Sequence, residues 1–595
     1  MAGHPEKHPL LITAAGPQPS RQTAILLRLL AVAFLLRLAL FLGFASWDPA
    51  KWARAGRGRS GEVGACPQVD PLAPASGPLD ANRDVIFGAD YRTTSAKVHG
   101  GLVQIRSESF DDNGAVSGDD ADPRWNVFYD VAHFLNTTFP LVHEHLTLEK
   151  VNKHGLVFTW QGSDASLKPT MLMAHQDTVP VNPATLDLWT HPPWSGYYDG
   201  SYLWGRGSAD CKNTLSGILE AVTFLLEGGF QPRRTLLLAF GFDEESKGLK
   251  GAGEIAKFLE ARYGKDGIAF IVDEGGLGVG ELYGANMALP ALGEKGYMDV
   301  NFTLHTPGGH SSIPPDHSGI GIISTIVNAL EAHPFDPTLP LTSPIYSLLS
   351  CAADYGKIPP SLKRSVKRGL AHGRKGEKAR QHVADEFAAL GRLQRYLVST
   401  SQAVDVVAGG VKVNALPELS YVVVNYRIDV NSEPQAIKHH ISKIVSPIAE
   451  QFQLEVDLFG SKHSFRQGNG LESGGSLQVE SIKLTRPEWS SDLFPAPVSP
   501  VDSPAWDVFS GTIKHAFGPR FGSSSELIVA PAIMTGNTDT RYMWNLSRNI
   551  YRFSPMDRGK LHGLHTVDEA IWFDDHISGI WFFHELIRSA DEAEL

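Results

Sequence analysis

An α/β fold with a mostly parallel sheet is the class this sequence predicts, and three apolar runs predict it. Pro169 to Ala174 (PTMLMA), Thr235 to Phe242 (TLLLAFGF) and Ile268 to Val272 (IAFIV) each read as a strand without a polar face. That is the pattern of parallel strands covered on both sides. Each run hands over to ionisable side chains at its C-terminal end: His175, Glu244-Glu245 and Asp273. Between the first two, Asn213 to Leu226 (NTLSGILEAVTFLL) has the length and apolar spacing of the crossover helix that a βαβ connection needs. Ligands of open α/β sheets collect beyond the carboxyl ends of the strands, so a site is expected there.

Taken in chain order, residues 1–23 form a tail and Ala24 to Ser46 (AILLRLLAVAFLLRLALFLGFAS) a segment long enough to span a bilayer at about 1.5 Å per residue. Arg28 can snorkel from its edge, whereas Arg37 near the middle costs roughly 2.5–3.5 kcal/mol. The Leu and Phe residues, at about −0.5 kcal/mol each, offset that cost. The segment reads as an uncleaved signal anchor, and Gly43-Phe44-Ala45 leaves a cleaved signal peptide as the alternative. Lys51, Arg54, Arg57 and Arg59 follow the span while Lys7 and Arg21 precede it, which by the positive-inside rule would put the downstream side in the cytoplasm. Residues 47–84, rich in Gly, Pro, Ala and Arg, read as a stem. The α/β domain begins at 85.

From there to the C-terminus, metal-ligand side chains recur in short words. These are His-Gln-Asp-Thr-Val-Pro-Val (175 to 181), Trp-Gly-Arg-Gly-Ser-Ala-Asp-Cys-Lys (204 to 212), Asp-Glu-Glu (243 to 245), Gly-Gly-His-Ser-Ser (308 to 312) and Thr-Asp-Thr-Arg (538 to 541), with His562-Gly563-Leu564-His565 near the end. Imidazoles and carboxylates are the donors of hydrolytic zinc sites, and a carboxylate beside them can serve as base. A lone His or Asp-Glu pair is usually a satisfied surface or core group. In this order and at these strand ends the words resemble the M20 metallopeptidase family, and within it the carboxypeptidase S branch of Gly-X carboxypeptidases, from about residue 85 to the C-terminus.

The resemblance implies a zinc-exopeptidase-like catalytic domain holding two Zn2+ ions, one by His175, Asp210 and Asp273 and the other by Asp210, Glu245 and His565, with Asp210 bridging. Glu244 would be the general base, and Asp177 would hydrogen-bond the far nitrogen of His175 and fix its tautomer. Cys211 stands where many relatives carry a second carboxylate or an amide; a cis peptide is expected after Asp210, with the thiol incidental to the chemistry. His191, His317 and His562 read as loop or supporting residues.

After Asp273 the pattern changes. Met298, Val300, Phe302 and Leu304 alternate with Asp299, Asn301, Thr303 and His305, as in a half-buried strand. A helix with Ile323, Ile326, Val327 and Leu330 on one face comes next, then strands around Tyr421 to Val430. This succession resembles the α+β lid domain that M20 enzymes insert, here 297–490, between catalytic parts at 85–296 and 491–595. Within it, 357–395 carries eleven Lys or Arg against three acids on helix-like text with few aromatics, which reads as a solvated face and not a nucleic-acid patch. The Gly/Ser/Pro-rich text of 460–504 reads as a long returning loop. By the resemblance His310 would reach the active site and stabilise an oxyanion, in some relatives across a dimer, and Asn414 and Arg541 would grip a substrate carboxylate.

Composition constrains the rest. With 42% hydrophobic residues in 595 the chain can build sizeable cores, and a net charge of −12 argues against bulk attraction to nucleic acid. Three cysteines exclude a disulfide-built scaffold, and sequons at Asn136, Asn301 and Asn545 are compatible with a secretory route. The expectation is a membrane-anchored dinuclear zinc carboxypeptidase acting on small peptides, with Gly favoured in the penultimate position. The resemblance implies a lumen-facing enzyme of the vacuolar or lysosomal type and a possible homodimer through the lid. An N-acyl-amino-acid amidohydrolase or synthase is the rival on the same scaffold. A non-catalytic membrane receptor is the rival from another class, disfavoured because all five ligand positions and Glu244 are present.

Overall fold

The computed structural model describes residues 66–465, 475–481, 492–522 and 526–595. The tail and the segment 24–46, expected to be an anchor, lie outside them, and among the described residues no helix is long and apolar enough to cross a membrane.

The three apolar runs form the strands Thr170–His175, Leu236–Gly241 and Ile271–Asp273, every residue of which is buried. They lie side by side in an eight-stranded sheet. From edge to edge its order is Thr147–Val151, Gly155–Trp160, Leu236–Gly241, Thr170–His175, Ile271–Asp273, Ile550–Arg552, Ala291–Glu294 and Ala532–Met534. The four central strands run parallel, and antiparallel partners flank them. His175 pairs in register with Gly241, so the ligand-bearing ends are level. Helix Lys212–Glu227 is buried all round because it is sandwiched between this sheet and helix Phe573–Glu592. Helix Ala252–Tyr263 covers the opposite face through Ala252, Ile255, Ala256 and Leu259.

The inserted domain is a second sheet of six strands, ordered Ser401–Gly409, Leu419–Ile428, Gly296–His305, Ser476–Ser481, Glu455–Leu458 and Ser461–Ser464. Met298, Val300, Phe302 and Leu304 are buried on one face with Val422, Val424, Tyr426 and Ile428, under helices Gly319–Ala332 and Pro434–Gln451. Each such side chain contributes roughly 1.5–3 kcal/mol on burial, and a one-residue slip would expose the whole set, so the alternation fixes the register.

Two expectations need correction. The stem expected over 47–84 is no free linker from Cys66 onward. Cys66 is disulfide-bonded to Cys351, Leu72 N–H donates to Gly511 O (2.9 Å), and Ala75 N–H to the Glu592 carboxylate (2.9 Å). Glycine and proline there mark an extended path over a surface, which composition alone does not separate from a linker. The loop expected over 460–504 contains the strands Ser461–Ser464 and Ser476–Ser481; the latter buries Leu477 and Val479 in alternation beside the Gly296–His305 strand. The inserted segment also carries a helical part. Helices Pro344–Tyr355, Pro360–Gly369, Arg374–Ala389 and Arg392–Leu397 share a separate core with Met287, Leu289, Ile528 and Ile533. The basic stretch lies on these helices with its charges mostly exposed and Leu362, Val366, Val383 and Phe387 buried.

Candidate metal centre

The C-terminal ends of the central strands deliver the site. His175 is the last residue of its strand, and Glu244 and Glu245 sit in a single 3-10 turn (Glu244–Ser246) just after Leu236–Gly241. Asp210 precedes helix Lys212–Glu227, and the Asp210–Cys211 peptide is cis, as expected. His565 projects from the loop before Ala570–Trp572 with φ +58°.

These side chains converge. His565 Nε2 lies 2.9 Å from Asp210 Oδ2 and 3.2 Å from Glu245 Oε1. His175 Nε2 lies 3.2 Å from Asp210 Oδ1, so Asp210 faces both imidazoles. A further carboxylate on the His175 side is Glu274, with Oε1 3.3 Å from Nε2. Asp273, expected there, is also buried beside the centre: its carboxylate lies in the field of His175 and then of Glu294 and Arg552, with Oδ2 accepting no hydrogen bond. The donor atoms of His175, Asp210, Cys211 and Glu274 lie within 4.8 Å of one another, and so do those of Asp210, Glu245 and His565. The Cys211 thiol, expected to be incidental, accepts the His175 N–H at 3.3 Å.

Asp177 holds the arrangement from behind. Its backbone oxygen lies 3.0 Å and its Oδ1 3.3 Å from His175 Nδ1, which turns Nε2 toward Asp210 and Glu274. The fully buried carboxylate also accepts the N–H of Glu244 and of Glu245 (3.1 Å each) and the Ser109 hydroxyl (2.6 Å). One carboxylate thus ties the His175 and Glu244-Glu245 segments together.

Four carboxylates around two imidazoles, mostly buried, make a cluster short of positive charge. Burial and then the neighbouring Glu245 hold Glu244 well above the usual carboxylate range. Burial and Asp210 push Glu245 up to about 7 and Glu274 up to about 8. Hydrogen bonds to Asp210 and Glu245 raise His565 to about 10. Glu245 Oε1 is buried, with His565 Nε2 3.2 Å away. Imidazole and carboxylate donors converging on shared points with that electrostatic demand fit divalent metal ions.

Of the remaining candidates, Arg541 reaches the centre: its Nη2 lies 3.9 Å from Glu244 Oε1. His310 and Asn414 lie instead on an exposed ribbon in which Gly309–His310 pairs with Ala415–Leu416 and Ser311 N–H donates to Asn414 O at 3.4 Å. There His310 Nδ1 bonds the Ser312 hydroxyl at 2.7 Å. Sequence reasoning did not single out Glu274, which neighbours the expected Asp273, or Glu569, for which no local signal existed.

The Peptidase family M20/M25/M40 model matches residues 171–589. Carboxypeptidase S of Saccharomyces cerevisiae is 39% identical over 539 residues, covering 89% of each chain. The N-fatty-acyl-amino acid synthase/hydrolase PM20D1 of Mus musculus is 29% identical, covering 85% of this chain and 89% of its own. Among solved structures, the dipeptidase Dug1p of Saccharomyces cerevisiae superposes with a TM-score of 0.56 at 13% identity, covering 87% of this chain and 99% of that one, a likeness of fold.

Proposed function

Because the chain belongs to peptidase family M20/M25/M40, we propose that it is a dinuclear zinc carboxypeptidase that removes the C-terminal residue of small peptides, with Gly-X substrates preferred. The observation that carries this reading is the junction of Asp210 with both His175 and His565 beside the adjacent pair Glu244-Glu245. His175, Asp210 and Glu274 would hold one ion and Asp210, Glu245 and His565 the other, a set of donors that suits zinc. Bound ions would supply Lewis acidity toward the scissile carbonyl and toward a water molecule.

The protein's own groups do the rest. Glu244 takes the proton of the attacking water and returns it to the departing amine, a role suited to a carboxyl whose proton affinity burial has raised. Asp177 holds the His175 ring and both Glu244 and Glu245 backbones, so it is a positioning group, not a reacting one. Arg541, beside Glu244, and Asn414 are proposed to bind the free carboxylate of the substrate, and His310 the oxygen that gains negative charge. Since His310 and Asn414 lie on an exposed ribbon, a second copy of this chain is proposed to receive them. Val411 and Val413 (98% and 99% exposed) beside Asn414, Ile313 (84%) beside His310, and Val407 (67%) on the sheet-edge strand Ser401–Gly409 are the apolar surface for that contact.

A lumen-facing, single-pass enzyme of a vacuolar or lysosomal compartment is the proposed setting. The Cys66–Cys351 disulfide suits an oxidising compartment. Among the sequons Asn136 is exposed on helix Val127–Thr138, whereas Asn301 is half-buried and bonded to Thr303. A second reading, hydrolysis or synthesis of N-acyl amino acids, is favoured by the apolar rim of the His565 loop, where Leu561 (38%) and Leu564 (43%) are exposed.

Assay of the purified soluble portion on Gly-Leu-type dipeptides, their C-terminal amides and N-acyl amino acids tests the choice. Cleavage of the free-acid dipeptides and rejection of the amides supports the carboxypeptidase; equal rates on acid and amide overturn it.

A further inference from the structure

The geometry points to Glu569 as a positioning residue that joins the Asp210 and His565 loops into one unit and so sets the second metal position, an inference that rests on the metallopeptidase reading. Glu569 is fully buried. Its Oε1 accepts three backbone N–H groups, those of Gly207 (3.0 Å), Ala209 (3.1 Å) and Asp210 (3.2 Å), and its Oε2 pairs with Arg206 Nη1 at 2.5 Å. Its backbone oxygen accepts the Gly205 N–H at 2.9 Å. All five donors therefore belong to the segment that leads into Asp210.

Glu569 itself follows His565 by four residues in a loop that is tightly closed. Gly563 has φ +58°, and a Cβ there would lie 2.5 Å from the Asp568 backbone. Asp568 in turn accepts the Thr190 N–H (2.6 Å) and hydroxyl (2.8 Å), which pins the loop from outside. Beyond Glu569 the strands Ala570–Trp572 and Tyr202–Trp204 pair antiparallel, so the two loops emerge together from one ladder. Glu569 ties them on the side where His565 Nε2 meets Asp210 Oδ2.

The buried Glu569 carboxylate is the shared acceptor of three N–H donors and a guanidinium, and its removal leaves those donors and a buried Arg206 charge without it. The segment would then relax, and with it the distance between two donors to the same ion. Glutamine can still accept at Oε1 but cannot pair ionically with Arg206, so it should be intermediate.

The test is metal release from the intact, metal-loaded protein to an excess of chelator, with metal content by elemental analysis, for wild type, E569Q, E569D and E569A. Expected is retention of one slowly released ion while the second leaves roughly 10–100-fold faster in E569A, with E569Q between, the range typical for groups that orient metal ligands. The kcat should fall with occupancy while KM changes little. Wild-type release kinetics in E569A, even with a lowered Tm, would reduce Glu569 to a structural role and overturn the inference. If E569A does not accumulate as folded protein, E569Q and E569D decide by the same readout. Wild-type protein binding no metal would instead overturn the metallopeptidase reading itself.

Discussion

Two regions carry residues with proposed catalytic roles, and they are built in opposite ways. The metal centre gathers His175, Asp210, Glu244, Glu245, Glu274 and His565 at the ends of buried parallel strands, where their contacts are made within one chain. The ribbon bearing His310 and Asn414 is two residue pairs long, exposed, and bonded chiefly to itself. A buried sheet can hold charged groups at fixed separations because packing over-determines their positions. A short exposed ribbon gains its definition from whatever covers it. On the proposed reading, metal binding and substrate closure are separable, and each prediction tests that separation.

The largest effect is expected inside the centre. Glu244→Gln should lower kcat by roughly 10²–10⁴ while both ions stay bound, as elemental analysis of the same sample would show. Loss of metal together with activity would place Glu244 among the ligands.

On the ribbon, His310→Ala should cost about 10²–10³ in kcat, the range for one oxyanion donor, with metal content untouched. If a second copy receives the ribbon, wild-type specific activity should also fall on dilution as sedimentation shows dimers dissociating. Full activity of the variant would mean the ribbon is idle.

The choice between adjacent acids sharpens the map of the centre. Glu274→Ala should weaken one ion by more than the roughly 10–100-fold typical of an outer orienting group, whereas Asp273→Asn should keep two ions. Metal titration of the apoproteins decides it, and the reverse outcome would restore Asp273 as ligand.

Arg541 tests the link between the regions, since it lies beside Glu244 yet is proposed to serve the substrate. Arg541→Ala should reduce kcat/KM by about ten- to a hundred-fold, mostly through KM, as expected for a charge-assisted hydrogen bond of roughly 1.5–3 kcal/mol. It should also erase the preference for a free acid over an amide. A fall in kcat with unchanged preference would reassign Arg541 to tuning Glu244.

Much of this protein was legible along the chain. Continuous apolar runs announce buried strands, alternation announces a half-buried one, and ligand-type residues immediately beyond the runs must lie at one edge of the sheet because parallel strands end together. Hence His175, Glu244, Glu245 and the period-two strand at 298–305 could be placed from the order of residues alone, whereas Asp210 rested on the family resemblance.

Packing settled the rest. That Glu274 approaches His175 Nε2, next to the Asp273 that ends the apolar run, is a matter of packing that two adjacent acids do not reveal. The Cys66–Cys351 bond closes over 285 residues, and Glu569 meets Asp210 across 359. Strand Ser476–Ser481 exists because a sheet edge was waiting for it. Local sequence sets each segment's periodicity and its chemistry, but which group satisfies a buried donor is determined only when distant segments are brought together and every buried polar atom must find a partner.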